Sequence, residues 1–431
     1  MIKTLCFAAL ALFMLGGCTQ TQISYNPEPS VKSFEDEDIY IFSALSAEEQ
    51  KRYAEAAEVY LELYDRTAKS EYLYRALALK NGIGAYEQVI ERSRAEQLRH
   101  PDDKSLIRFE VIAMLSLKQY DAAKEKALKL VAESKKAEDY LLVSEAYIKQ
   151  RHFDTAMKYL ERAYAINFDE EILDKMSIIL YVNLGRKSEA ISHLESHSRL
   201  HGCSETICKR LAGFYSEQND VDGMLSTYLR LYDVTPQKGY ADAIVKIYSY
   251  KKEYPQLMDF LERTGADDMT LLQLYINARS YAKAAKLAKK LYNEHGDAVF
   301  LGQYAIFTYE SAEKKDDRKM LERVMQTLKQ VIRVVDDSLY LNYLGYLMID
   351  HDMDVKGGME YVEKALEKEP NSPFYRDSLA WGHYKLGNCE EAERLMLQVI
   401  EELGPDDKEV KSHMDAINEC LGSDKTESKP Q

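Results

Sequence analysis

Three histidines and a cysteine crowd the segment SHLESHSRLHGC: His193, His197, His201 and Cys203. On a helix, His193 and His197 share one face at a spacing that zinc ligands use. Two features favour a structural role instead. His197 falls where a neighbouring helix packs, and a bond to Cys208 would consume Cys203. No metal is expected. Ser-x-x-Lys occurs as SYKK (249–252) and SAEK (311–314), a spacing that arises by chance in a lysine-rich helical chain. There is no HExxH, no GxSxG, and no glycine loop following a strand to cradle a phosphate. The chain reads as non-enzymatic, with no cofactor.

Residues suited to binding stand nearer the end. LNYLGYLMIDHD (341–352) and RDSLAWGHYKLG (376–387) align as successive helices. Asn342 is level with Asp377, and Tyr346 with Trp381, each pair spaced i, i+4 on one face. Tyr384 follows Trp381 by one turn. An amide, a carboxylate and rigid aromatics on a concave face are what a peptide-binding hot spot needs. Packing against the next repeat is the competing role. No Lys/Arg pair accompanies them, so capture of a C-terminal carboxylate is not expected. Many of the 32 tyrosines are expected in the helix–helix core.

These residues need elements to hold them. From about residue 38, Gly and Pro are scarce and the apolar spacing is helical. In HFDTAMKYLERAYAINFD (152–169), Phe153, Ala156, Leu160 and Ala163 share one face. Register residues step through Ala123, Ala156, Ala190, Met224 and Leu257 at 33 to 34 residues. Ala284 comes after a shorter step, and Gly358 to Ala392 is again 34. A tyrosine stands nine residues before several of them, as at Tyr147, Tyr181 and Tyr215. One helix pair cannot bury its apolar face alone, so stacked pairs must share a continuous core. About eleven units are expected over 38–405, with a capping helix at 406–421. Residues 70–101 and 297–337 depart from the pattern, and SAEKKDDRK (311–319) reads as an inserted loop.

The chain begins differently. Lys3 precedes an apolar run from Leu5 to Leu15 that is too short to span a bilayer, followed by Gly16, Gly17 and Cys18. Residues 1–17 read as a signal peptide, 18–37 as a tether, 38–421 as the repeat array and 422–431 as a disordered tail. Without Cys6 and Cys18, four cysteines remain of six. Three pairings exist, and spacing favours Cys203–Cys208 and Cys389–Cys420; buried free thiols are the alternative. The formal charge of −15 repels phosphate backbones and anionic lipid headgroups, so no nucleic-acid partner is expected.

Three resemblances extend this reading. LGGC (15–18) resembles the lipobox of bacterial lipoproteins, which implies that Cys18 is lipidated and becomes the mature N-terminus. Thr19 rather than Asp after that cysteine implies an outer-membrane location on the periplasmic face, with membrane attachment through the lipid alone. The helix–turn–helix period, with Gly185, Pro236, Pro370 and Gly387 at family positions, resembles the tetratricopeptide repeat. This implies an all-α, right-handed superhelical solenoid. Finally, Asn342, Leu344, Gly345, Tyr346, Lys364, Ala365, Leu366, Pro370, Asp377, Ser378, Leu379, Trp381, Tyr384 and Gly387 resemble a narrower group. These are the many-repeat outer-membrane lipoproteins that act as adaptors of periplasmic carboxy-terminal processing proteases. Ala380 replaces that group's usual glycine. The resemblance implies a scaffold that brings a protease and its substrates together. An assembly or pilotin-type subunit of an outer-membrane machine is the alternative.

Overall fold

The computed structural model describes residues 32–404 and 407–427. The expected signal peptide, Cys18 and most of the tether lie outside these residues. Among the described residues there are only helices and turns, and no helix is long and apolar enough to cross a membrane.

The chain divides into two compact units, with the boundary between Leu211 and Ala212. The first contains α1 (Glu37–Glu49), α2 (Tyr53–Thr67), α3 (Ser70–Gly82), α4 (Tyr86–Gln97), α5 (Lys104–Ser116), α6 (Tyr120–Ser134), α7 (Ala137–Lys149), α8 (Phe153–Asn167), α9 (Glu170–Ile178) and α10 (Lys187–His201). A π-helical turn, Ile179–Asn183, prolongs α9. The boundary falls inside α11 (Glu205–Glu217). The second unit continues with α12 (Val221–Val234), α13 (Lys238–Lys251), α14 (Tyr254–Thr264), α15 (Asp268–Asn277), α16 (Tyr281–His295), α17 (Ala298–Glu310), α18 (Arg318–Val331), α19 (Ser338–Asp350), α20 (Val355–Lys368), α21 (Pro373–Lys385), α22 (Cys389–Leu403) and α23 (Lys408–Glu427). These are eleven tetratricopeptide-like helix pairs and a capping helix.

Local chemistry starts and stops the helices. Aspartates 103, 169, 220, 267, 297, 317, 337 and 354 each accept a backbone N–H of the first turn. An N-cap carboxylate satisfies a free donor and meets the positive end of the helix dipole. Within ten of the eleven pairs, all but α17–α18, the turn is made by one residue in the left-handed region. Lys51, Gly84, Lys118, Arg151, Gly185, Asn219 and Lys252 occupy it in seven successive pairs, 33 or 34 residues apart. Arg279 then follows after only 27. This is the short step visible in the sequence: α14 and α15 have 11 and 10 residues, against 15 in α16. The expected insertion is the loop at 311–317 between α17 and α18.

The core is layered, as a stacked array requires. The register residues Ala123, Ala156, Ala190, Leu257, Ala284 and Ala392 are fully buried. Their small size, Leu257 apart, brings the two helices of a pair close. Leucines such as Leu63, Leu130, Leu160 and Leu194 fill the space between, each worth about 1.5–3 kcal/mol when buried. Gly345 and Gly358 carry a close crossing of α19 and α20. A Cβ on Gly345 would stand 2.6 Å from the carbonyl oxygen of Gly358.

α23 runs on to Glu427, past residue 421.

Candidate protein-binding face

Counting back from the left-handed turn residue locates equivalent positions in each first helix. Asn342 lies ten residues before Asp352, and Tyr346 six before it. Asp377 and Trp381 stand in the same relation to Gly387. α19 and α21 therefore present these four side chains in register, and α23 lies next in the row.

The structure joins them to α23. Trp381 is half-buried and stacks on two neighbours. His413 of α23 is 4.1 Å away between ring centroids at 15°, and Tyr384 is 4.6 Å away at 18°. The Trp381 indole N–H donates to Asp350 Oδ1 at 3.0 Å. Lys385 reaches the carbonyl of Asp350 at 3.0 Å and Asp352 Oδ2 at 2.9 Å. Its ammonium lies 5.5 Å from the Trp381 ring centroid, within cation–π range. The Tyr346 hydroxyl donates to Glu409 Oε1 at 2.8 Å. Burial raises this phenol well above the ordinary tyrosine range, helped by the Asp350 and Glu409 carboxylates. Tyr346 is thus a neutral donor at any physiological pH.

Asp377 is not open to a partner. It is buried at 8% exposure, and His413 Nδ1 donates to its Oδ1 at 2.9 Å. Asn342 is half-buried, and its Oδ1 has no hydrogen-bond partner among the described residues. Of the five predicted residues, Asn342, Tyr346, Trp381 and Tyr384 keep partial exposure and Asp377 does not. The competing role, packing against the next helix, holds for Asp377 and for one face of Trp381.

The aromatic row continues into α17. Tyr343 donates to Glu310 at 2.5 Å, and Tyr309 meets Tyr343 edge-on at 6.1 Å. Burial pushes the Tyr309 phenol up to about 12. Sequence reasoning missed His413, Glu409, Asp350 and Lys385. Their roles depend on contacts between helices 31 to 63 residues apart, and no local spacing signals those.

Elsewhere the predicted residues are placed as follows. The structure pairs Cys203 with Cys208, their Cα atoms 5.5 Å apart, and Cys389 with Cys420, 6.0 Å apart. The second bond ties the start of α22 to the later half of α23. His197 is buried, its Nδ1 2.7 Å from the Tyr164 hydroxyl, and it packs on His201 at 4.7 Å. Among the described residues no group of His, Cys, Asp or Glu is arranged to hold a metal.

No family model matches the chain. Over 103 residues it is 30% identical to the TPR repeat-containing protein PA4667 of Pseudomonas aeruginosa. The match covers 24% of this chain and 17% of that protein, so the chain spans under a fifth of its relative's length. Among solved structures, it is similar to Naa15/Naa10 bound to HypK-THB, with a TM-score of 0.34, 16% identity, and 90% and 62% of the two chains covered. It is also similar to the Cut9–Hcn1 hetero-tetramer, with a TM-score of 0.31, 12% identity, and 91% and 87% covered.

Proposed function

We propose that this chain is a non-enzymatic scaffold that binds other proteins through the row formed by α19, α21 and α23. One observation carries the reading. Tyr346, Trp381 and Tyr384 are large, rigid and partly exposed, and they lie beside polar groups fixed by hydrogen bonds. Interface hot spots are enriched in such aromatics, because they contribute much contact area at little entropic cost.

The finer form of the reading is a lipid-anchored adaptor. The lipobox-like segment would hold Cys18 and its acyl chains in the outer membrane, and the repeats would face the periplasm. Motif residues from Asn342 to Gly387 resemble adaptors of carboxy-terminal processing proteases, and the match to PA4667 supports the same repeat class. The mechanism would be effective concentration: a protease held beside its substrate meets it far more often than a free one.

The test is affinity capture from an envelope extract, with the wild-type chain beside a Tyr346→Ala/Tyr384→Ala variant whose helicity is checked by circular dichroism. A processing protease retained by the first and lost from the second supports the adaptor. Subunits of a secretion or motility machine, captured in its place, would overturn it.

A further inference from the structure

One helix covers part of the candidate face, and one bond fastens that helix. α23 offers Glu409 to Tyr346 and His413 to Asp377 and Trp381. It thereby buries Asp377 and occupies one side of the Trp381 ring. Its own hold on the array is narrow. Val410, His413 and Ile417 are buried, whereas Lys411, Ser412, Asp415 and Asn418 form an exposed outer face. A helix at the end of a stacked array has a neighbour on one side only, and chain ends open at low free-energy cost. Besides the main chain, one covalent bond among the described residues holds α23. It is Cys389–Cys420, which joins the first residue of α22 to the later half of α23.

The two sulfur-bearing residues differ in access. Cys389 is 3% exposed, whereas Cys420 is partly open to solvent. A reductant can therefore reach the bond from the Cys420 side.

We infer that Cys389–Cys420 is a redox clasp: cleaved by an external dithiol, it lets α23 leave and opens Asp377 and the covered side of Trp381. A thiolate of the dithiol attacks Cys420 Sγ, the bond to Cys389 breaks, and Cys389 leaves as a thiolate. The second sulfur of the dithiol then displaces Cys420. The dithiol is oxidised to a disulfide, both cysteines are reduced, and each takes up a proton. With the bond intact, the crosslink restricts the open chain and keeps α23 in place. The inference rests on the reading of Tyr346, Trp381 and Tyr384 as the partner face, and adds its regulation.

Trp381 is the chain's single tryptophan, so its fluorescence reports on α23 directly. The test adds dithiothreitol to the purified chain and follows thiol release, emission and far-UV circular dichroism together. Reduction is expected to red-shift the emission and to raise acrylamide quenching roughly twofold, because the ring loses one of its stacking partners. Cys203→Ser/Cys208→Ser should respond in the same way. Cys389→Ser/Cys420→Ser should match the reduced chain and ignore the reductant. In affinity capture, this opened variant should retain severalfold more partner than the oxidised chain. Three results would overturn the clasp: unchanged Trp381 emission once both thiols are released, a loss of helicity beyond the share of α23, or no gain in capture. The fluorescence arm needs no partner, so its failure sinks the clasp and leaves the face to be judged by Tyr346→Ala/Tyr384→Ala.

Discussion

The first helices of α5, α7 and α9 and those of α19 and α21 share one backbone register and carry opposite chemistry. Ten and six residues before the turn, the first unit has Arg108 and Ile112, Leu141 and Glu145, and Lys175 and Ile179. The second unit has Asn342 and Tyr346, then Asp377 and Trp381. In the first unit the charges satisfy one another between repeats. Arg108 holds Asp139 through two bonds, at 2.6 and 3.0 Å, and Lys175 holds Glu145 at 2.5 Å. In the second unit the polar groups instead fix aromatic rings that stay partly exposed. The repeat dictates where these side chains stand. Their chemistry decides whether the row closes on itself or stays open to a partner.

Mutations can break this contrast, beginning with the largest effect. Asp139 is fully buried, so Arg108→Met strands a carboxylate. We expect a loss of about 3–5 kcal/mol in chemical denaturation. Trp381→Ala removes two stacks and the bond to Asp350, and should cost about 2–4 kcal/mol, below or within the range for fully buried Trp. The matching change in the first unit, Ile112→Ala, removes an exposed side chain and should cost under about 1 kcal/mol. If the two costs proved equal, the contrast between the rows would fail.

Gly345→Ala tests whether α19 and α20 need their close crossing. Its Cβ meets backbone rather than a flexible side-chain tip, so we expect a loss of about 1–3 kcal/mol and a lower Tm by calorimetry.

Glu110 sharpens the charged side of the contrast through pH. It is fully buried. Burial alone would raise its pKa, but hydrogen bonds from Lys126, Gln97 and Arg94 outweigh burial and hold it below the ordinary glutamate value. A depressed folded pKa gives stability that is present above the unfolded value of about 4.3 and lost as pH falls through the folded one. Urea titrations from pH 7 down to about 3 should show this loss in the wild type and a flatter slope in Glu110→Gln.

The smallest effect should be a gain. Arg151 sits at φ +61°, where glycine carries no Cβ penalty. Arg151→Gly should stabilise by a few tenths to about 1 kcal/mol in thermal melts.

Much of the architecture was legible because it repeats. Alanine and leucine at 33- to 34-residue steps, and the shorter step before Ala284, all reappear as helix crossings. The residues that make the turns were harder to see. Glycine fills only some of these positions, and lysine, arginine or asparagine fills others, at a conformational cost the sequence does not display. The candidate face was half legible. Register placed Asn342, Tyr346, Asp377 and Trp381 together, but the capping helix that buries Asp377 and stacks on Trp381 could not be read from spacing. Helix α23 matches no repeat pattern, and His413 meets Asp377 only through tertiary packing.

The central claim is that the aromatic row, not the charged one, receives the partner. The most direct measurement compares envelope proteins captured by Tyr346→Ala/Tyr384→Ala with those captured by Ile112→Ala/Leu141→Ala, each quantified against wild type by mass spectrometry. Loss of the principal partner from the first variant and its retention by the second is the predicted result. Retention by the first and loss from the second would contradict it.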